Sequence, residues 1–173
     1  YGTERRADLL GVVDWRGDES VVDVGGGSGA LLVSLLARRP ELRGVVLDLP
    51  ETVRDEAALG ERIAFVEGSF FEKVPPAYVY VLGGILHDWD DENATRILRT
   101  MRLSARDGSR LLILDAVMAP GNDPNGSKWL DLLVLALLGG KERSEAQWRE
   151  LLTAGGWNPL RFHESLIEAV PAP

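Results

Sequence analysis

Two hydrophobic rhythms alternate along the 173-residue chain. Short runs of β-preferring residues stand at positions 21–24, 45–48, 63–66, 79–82 and 111–114. Between them the apolar spacing changes to threes and fours, as at Leu31, Leu32, Leu35 and Leu36, or Ala94, Ile97, Leu98 and Met101. The first rhythm predicts buried strands and the second predicts helices with one apolar face. An opening helix is expected over residues 1–13, with Leu9, Leu10 and Val13 on one side, followed by a turn at 15–18. Pro40 and Gly44 bracket a loop, and Pro50 sits where a helix over 51–59 would begin. Asp90 is placed to cap a helix whose first turn holds Asp91 and Glu92.

Further on, residues 122–126 read as a turn, and 129–138 as an apolar helix with Asp131 inside it. Ser144 and Gln147 have capping-box spacing for a helix through Trp148, Leu151 and Leu152, stopped at Gly155-Gly156. Strands at 160–163 and 166–170 would form a hairpin across Glu164-Ser165. The whole predicts an α/β fold: a mostly parallel sheet of seven strands, helices on both faces and a C-terminal antiparallel hairpin.

Composition narrows the partners. Lys and Arg number 19 against 27 Asp and Glu, a net charge of −8, and the basic residues are scattered. Arg5-Arg6 and Arg38-Arg39 read as pairs on helix surfaces. A nucleic-acid surface needs clustered cations, so none is expected. The longest apolar run, 132–138, is far short of a membrane span, and no signal peptide is evident. The absence of cysteine suits a cytoplasmic protein and excludes thiolate metal sites. No spacing of the two histidines suggests a metal centre. The chain begins at Tyr1 rather than methionine and is expected to be part of a longer protein.

Candidate chemistry gathers just past the strands, where ligands of such sheets bind. Asp23 runs into Gly25-Gly26-Gly27-Ser28-Gly29, a strand–turn–helix junction whose bare backbone can approach a ligand. Two cofactors fit it. Gly25-x-Gly27-x-x-Ala30 satisfies the dinucleotide fingerprint, with Asp48 at about the distance of its ribose acid. The same stretch fits an acidic residue followed by G-x-G-x-G, the form used by S-adenosylmethionine methyltransferases. In either case Asp48 is the expected ribose ligand. Ser69 and Phe70 end the third strand, where an adenine ring would lie.

His87 follows the fourth strand in Leu86-His87-Asp88-Trp89-Asp90. An imidazole there can take a proton near neutral pH if a carboxylate orients it. Asp115, after the adjacent strand, and Glu142 are the acids placed to do so. His163 lies in a terminal strand and is given no role. There is no G-x-S-x-G elbow for acyl transfer, and no Tyr-x-x-x-Lys pair for a dehydrogenase.

Five motifs together decide the reading. The glycine stretch 23–29, Leu47-Asp48-Leu49-Pro50, Glu67-Gly68-Ser69-Phe70-Phe71, the segment 86–92 and Gly139-Gly140-Lys141-Glu142-Arg143-Ser144 follow in order. They resemble the signatures of plant caffeic-acid-type and bacterial natural-product O-methyltransferases, over nearly the whole chain. The resemblance implies a Class I, Rossmann-like methyltransferase domain over residues 1–173 that binds S-adenosylmethionine and releases S-adenosylhomocysteine. It implies His87 as general base flanked by Asp115 and Glu142. Cofactor contacts would come from Asp23, Gly25, Gly26, Gly27, Asp48, Leu49, Gly68, Ser69, Phe70 and Gly83, and acceptor contacts from Trp89 and Asp131. The acceptor would be a small phenolic or polyketide-like hydroxyl compound. The family's N-terminal domain, which dimerises and completes the acceptor pocket, is not in this chain, so the full-length protein would be a homodimer. Two departures stand out: Gly83 replaces a lysine of plant members, and Ser69 an aspartate common in the third-strand motif. The alternatives are a relative drifted to other chemistry, a non-catalytic cofactor-binding fragment, or an NAD-dependent oxidoreductase.

Overall fold

The computed structural model describes residues 2–52, 60–118, 142–163 and 165–173. Most of the helix expected over 51–59, the turn at 122–126, the helix at 129–138 with Asp131, and residues 139–141 lie outside the described residues.

Strands β1 (Ser20–Val24), β2 (Arg43–Asp48), β3 (Ile63–Glu67), β4 (Val79–Gly83) and β5 (Arg110–Leu114) pair in parallel. Two short strands follow, β6 (Val117–Met118) and β7 (Arg143–Ser144), and then β8 (Trp157–His163) and β9 (Leu166–Pro171). The main sheet has seven strands in the order β3-β2-β1-β4-β5-β9-β8, with β9 and β8 antiparallel. The terminal hairpin is as expected, except that its first strand begins at Trp157, three residues early. The strand order reverses direction between β1 and β4, which opens a crevice at their carboxyl ends.

Side-chain alternation along each strand divides the core into two layers. Val22, Val24, Tyr80, Leu82, Leu111 and Ile113 face one side. There they meet α3 (Asp91–Ser104) and α4 (Glu145–Ala154) through Ala94, Ile97, Leu98, Met101, Trp148, Leu151 and Leu152. Val21, Val79, Val81, Leu112 and Leu114 face the other, against α1 (Thr3–Gly11) and α2 (Ala30–Arg38). Both helix starts foreseen by capping hold. Asp90 accepts from Asn93 N–H at 2.8 Å, and Ser144 and Gln147 form a reciprocal capping box. Among the described residues no helix is long and apolar enough to cross a membrane.

One packing contact bears directly on the site. Trp148 is fully buried and donates its indole N–H to Ala116 O at 3.1 Å, tying α4 to the residue after Asp115. Truncating a buried indole of this kind costs about 3–5 kcal/mol. The β6–β7 ladder pairs Val117 with Arg143 and so carries Glu142 beside Asp115. Two residues 27 apart in sequence meet through this ladder, which the hydrophobic pattern did not predict.

Candidate active site

The glycine turn binds the carboxyl end of β1 to that of β2. Gly25 N–H donates to Leu47 O at 2.8 Å, and Gly27 N–H to Asp48 Oδ2 at 2.7 Å. Gly25, Gly27 and Gly29 have φ of 72°, 57° and 75°, the left-handed region that side chains disfavour. At Gly26 the reason is space rather than torsion. A Cβ there would stand 2.6 Å from the Asp23 carboxyl, which lies buried beneath the turn. Burial pushes Asp23 up to about 7, with the Arg6 charge opposing and Asp48 adding to the rise. Its Oδ2 has no hydrogen-bond partner.

Asp48 Oδ1 accepts from Leu49 N–H at 2.7 Å. A carboxylate offers about four lone-pair sites, so both oxygens retain capacity for ligand hydroxyls beside the two backbone donors. Asp48 opens onto a hollow of about 290 Å³. Gly25, Leu49, Gly68, Ser69, Phe70 and Trp89, all singled out in the sequence, line it, and Phe71, Ile85 and Asp88 complete the wall. Three aromatic rings shape that wall. Phe71 meets Trp89 edge-on with centroids 4.9 Å apart, and Phe70 lies 5.0 Å from Phe71. Ser69 Oγ accepts from Phe71 N–H at 3.2 Å, which holds the turn after β3.

His87 sits in a one-turn 3₁₀ helix, Leu86–Asp88, that follows β4. Its Nδ1 lies 3.5 Å from Asp115 Oδ1 and 3.5 Å from Glu142 Oε1, and its Nε2 lies 3.2 Å from Asp88 Oδ1. The ring is partly open to solvent, while the Asp115 and Glu142 side chains are each 1 % exposed. The Glu142 hydrogen bond raises the imidazole above its ordinary value. Burial opposes that rise, and Asp115 and Asp88 reinforce it. Burial pushes Asp115 itself up to about 7, against the pull of His87. Carboxylates at Nδ1 favour a proton on that nitrogen, while Nε2 faces the more exposed Asp88.

Arg143 fixes where this turn stands. Fully buried, it donates from Nε to Asp91 Oδ1 at 2.9 Å, from Nη1 to Leu86 O at 2.9 Å and from Nη2 to Trp89 O at 2.8 Å. Its guanidinium also lies 5.3 Å from the Trp148 ring centre. One planar fork thus holds the residues on either side of His87 and Asp88.

The structure therefore brings together His87, Asp115 and Glu142 at one point, and Asp48, Leu49, Gly68, Ser69 and Phe70 at another, with Gly25 and Trp89 in the second group. Gly83 ends β4, where an added Cβ would lie 3.2 Å from Leu31 and 3.7 Å from Arg6 Cδ. Asp131 lies outside the described residues. The sequence reading missed Asp88, Phe71, Ile85 and Arg143, though all but Ile85 stand within the motifs it used and Ile85 directly precedes one. It took Arg6 for a helix-surface residue, whereas its side chain lies against Gly83 and Gly84 at the end of β4. The signal was available: Arg6 is three residues before Leu9 and four before Leu10, on the apolar face of α1.

The features at the carboxyl ends of β1 and β2 suit an adenosyl cofactor: a Cβ-free turn, a buried acid with an unpartnered oxygen, and a strand-end carboxylate above an aromatic hollow. The comparisons agree. The family model described as "O-methyltransferase domain" matches residues 5–158. The chain is 37 % identical to phenazine O-methyltransferase PhzM of Lysobacter antibioticus over 94 % of its own length and 51 % of that protein's. Among solved structures, the calicheamicin-biosynthesis methyltransferase CalO1 in its SAH-bound form is 36 % identical with a TM-score of 0.87, over 98 % of this chain and 54 % of that one. The O-methyltransferase NcsB1 of neocarzinostatin biosynthesis, in complex with SAH and 1,4-dihydroxy-2-naphthoic acid, is 35 % identical with a TM-score of 0.82, over 98 % and 56 %. The chain spans about half the length of the curated relatives it matches. A strand order with an antiparallel end, a glycine turn over Asp23 and identity above 30 % with named relatives lead to one conclusion: the chain belongs to the O-methyltransferase domain family of Class I, S-adenosylmethionine-dependent enzymes.

Proposed function

We propose that this domain methylates a phenolic hydroxyl of a small aromatic natural product, with His87 as the general base. The observation that carries the reading is the placement of His87, with two buried carboxylates at Nδ1 and the aromatic hollow a short step away through Asp88 and Trp89. The S-adenosylmethionine sulfonium, when bound, supplies an electrophilic methyl group with a good leaving group behind it. The protein's task is then to position the acceptor oxygen and remove its proton. A phenol with a pKa near 10 is largely protonated at neutral pH, and Nε2 is the atom that takes its proton. Asp115 and Glu142 hold the ring through Nδ1 and stabilise the imidazolium that results. Asp48 and the glycine turn would hold the nucleoside, and Phe70, Phe71 and Trp89 keep the neighbourhood dry. That dryness favours a reaction in which a cation and a phenolate neutralise each other.

The acceptor class is supported by the dihydroxynaphthoic acid bound in the NcsB1 complex. The test is calorimetric titration of the chain with S-adenosylhomocysteine and with NAD, followed by turnover of simple phenols with a labelled methyl donor. Binding of S-adenosylhomocysteine and not NAD is expected, with turnover lowered about 10²–10⁴-fold in His87→Ala and cofactor binding retained. Equal turnover in His87→Ala would remove the base from the reading, and a preference for NAD would end it.

A further inference from the structure

Arg6 is an arginine on the buried face of a helix. Its Nε is buried without a hydrogen-bond partner, and its guanidinium lies across the last residues of β4. A Cβ on Gly84 would collide with Nη2 and stand 2.9 Å from Cζ, and Gly84 has φ 72°. The glycines at 83 and 84 leave a space that the arginine head fills from another element. Its charge also acts on two buried acids, Asp23 beneath the glycine turn and Asp115 beside His87. The residue as a whole is only partly buried, but a guanidinium whose Nε has neither solvent nor a partner suits an anion that would take up the unused donor.

The sheet order says which anion. Along the carboxyl edge the strands run β3, β2, β1, β4, β5. They present Ser69 and Phe70, then Asp48, then the glycine turn, then Gly83 and Gly84, then Asp115. A nucleoside seated at β3 and β2 directs its 5′ substituent across β1 toward β4. In the adenosyl cofactor that substituent ends in an amino acid, with one carboxylate and one ammonium. Asp23 Oδ2 is the unpartnered acceptor on one side of that position and Arg6 the planar cation on the other. A guanidinium fork matches a carboxylate in two parallel hydrogen bonds.

We propose that Arg6 binds the carboxylate of the cofactor's methionine tail, an inference that rests on the S-adenosylmethionine reading above. It predicts a difference between two ligands that share a nucleoside. S-Adenosylhomocysteine carries the tail, and 5′-methylthioadenosine lacks it. In calorimetric titrations of the full chain, Arg6→Met should weaken S-adenosylhomocysteine about 10- to 100-fold and leave 5′-methylthioadenosine unchanged. Arg6→Lys, which keeps the charge without the fork, should recover part of the loss. Unchanged 5′-methylthioadenosine affinity also reports that the variant is folded. Equal S-adenosylhomocysteine affinity in wild type and Arg6→Met would overturn the assignment. So would a parallel loss of both ligands, which would make Arg6 a packing residue. If wild type binds neither ligand, the cofactor reading itself fails and the inference falls with it.

Discussion

Asp48 and Asp115 each stand at the carboxyl end of a parallel strand, in β2 or just past β5, yet the chain treats them oppositely. Asp48 is partly exposed, and each of its oxygens takes a backbone N–H at 2.7 Å. Asp115 is 2 % exposed, and burial pushes it up to about 7. The first carboxylate is surrounded by donors fixed in the main chain and open to a ligand. The second is taken out of water and left to act through its neighbour His87. The proposed cofactor end of the site is thus framed largely by backbone donors, and the proposed base end by side chains. Backbone sites tolerate change in the surrounding side chains, whereas a side-chain site depends on whatever holds each group in place.

Removing each acid in turn should produce opposite losses. Asp48→Ala deletes the acceptor of Gly27 N–H as well as the expected ribose ligand, so S-adenosylhomocysteine affinity should fall about 10- to 100-fold by calorimetry. Asp115→Asn should leave that affinity near wild type and lower methyl transfer about 10²-fold, because the ring loses one of its two orienting carboxylates. If both variants lose binding equally, the two ends of the site are one cooperative unit and the division is wrong. Next in size is the clamp. Arg143→Met strands two backbone carbonyls and Asp91 and removes the support of the His87 turn. A loss of about 3–5 kcal/mol in chemical denaturation is expected, with Arg143→Lys intermediate because an ammonium cannot span three acceptors.

The same contrast explains what was legible in the sequence. The cofactor end depends on contiguous stretches, a glycine run and single residues closing strands, so periodicity and punctuation locate Asp48, Ser69 and the turn at 25–29. The alternating rhythms also yield the sheet, because β1, β4 and β5 divide their side chains cleanly between two helical layers. The base end depends on long-range closure. Glu142 reaches Asp115 only through the two-residue β6–β7 ladder, which is too short to leave a hydrophobic pattern. Arg143 and Arg6 look like ordinary surface cations in a linear reading. Their placement follows from what other elements leave open: the carbonyls around His87 for the buried Arg143, Gly83 and Gly84 for the partly buried Arg6. A charged residue in phase with an apolar helix face was the one clue available, and α1 carried it at Arg6.

The two ends of the site should also differ in their response to pH. His87 is raised chiefly by the Glu142 hydrogen bond, so a base at this position works on the alkaline side of its raised value and turnover falls as the pH drops through it. In Glu142→Gln that support is gone, and the acid limb of kcat/KM should move to lower pH. A limb that stays in place, or moves up, would show that Glu142 does not set the ring's protonation.

The smallest effect concerns Asp23, whose burial raises it to about 7 from an ordinary value of 3.8. An acid raised by folding contributes stability that is complete below its unfolded value and is lost as pH rises through its folded one. Wild type should therefore lose stability between about pH 4 and pH 8 in part through this group, since ionising it leaves a charge beneath the glycine turn. Asp23→Asn keeps the shape and cannot ionise. Thermal melts of the two proteins should converge near pH 4 and separate by a few degrees in favour of the variant by pH 8. S-Adenosylhomocysteine should narrow that gap in wild type alone, because a bound ammonium would compensate the aspartate and has nothing to pair with in the asparagine. A gap of the opposite sign would mean that the Arg6 charge outweighs burial at Asp23, and that the cofactor end, too, is held by side chains.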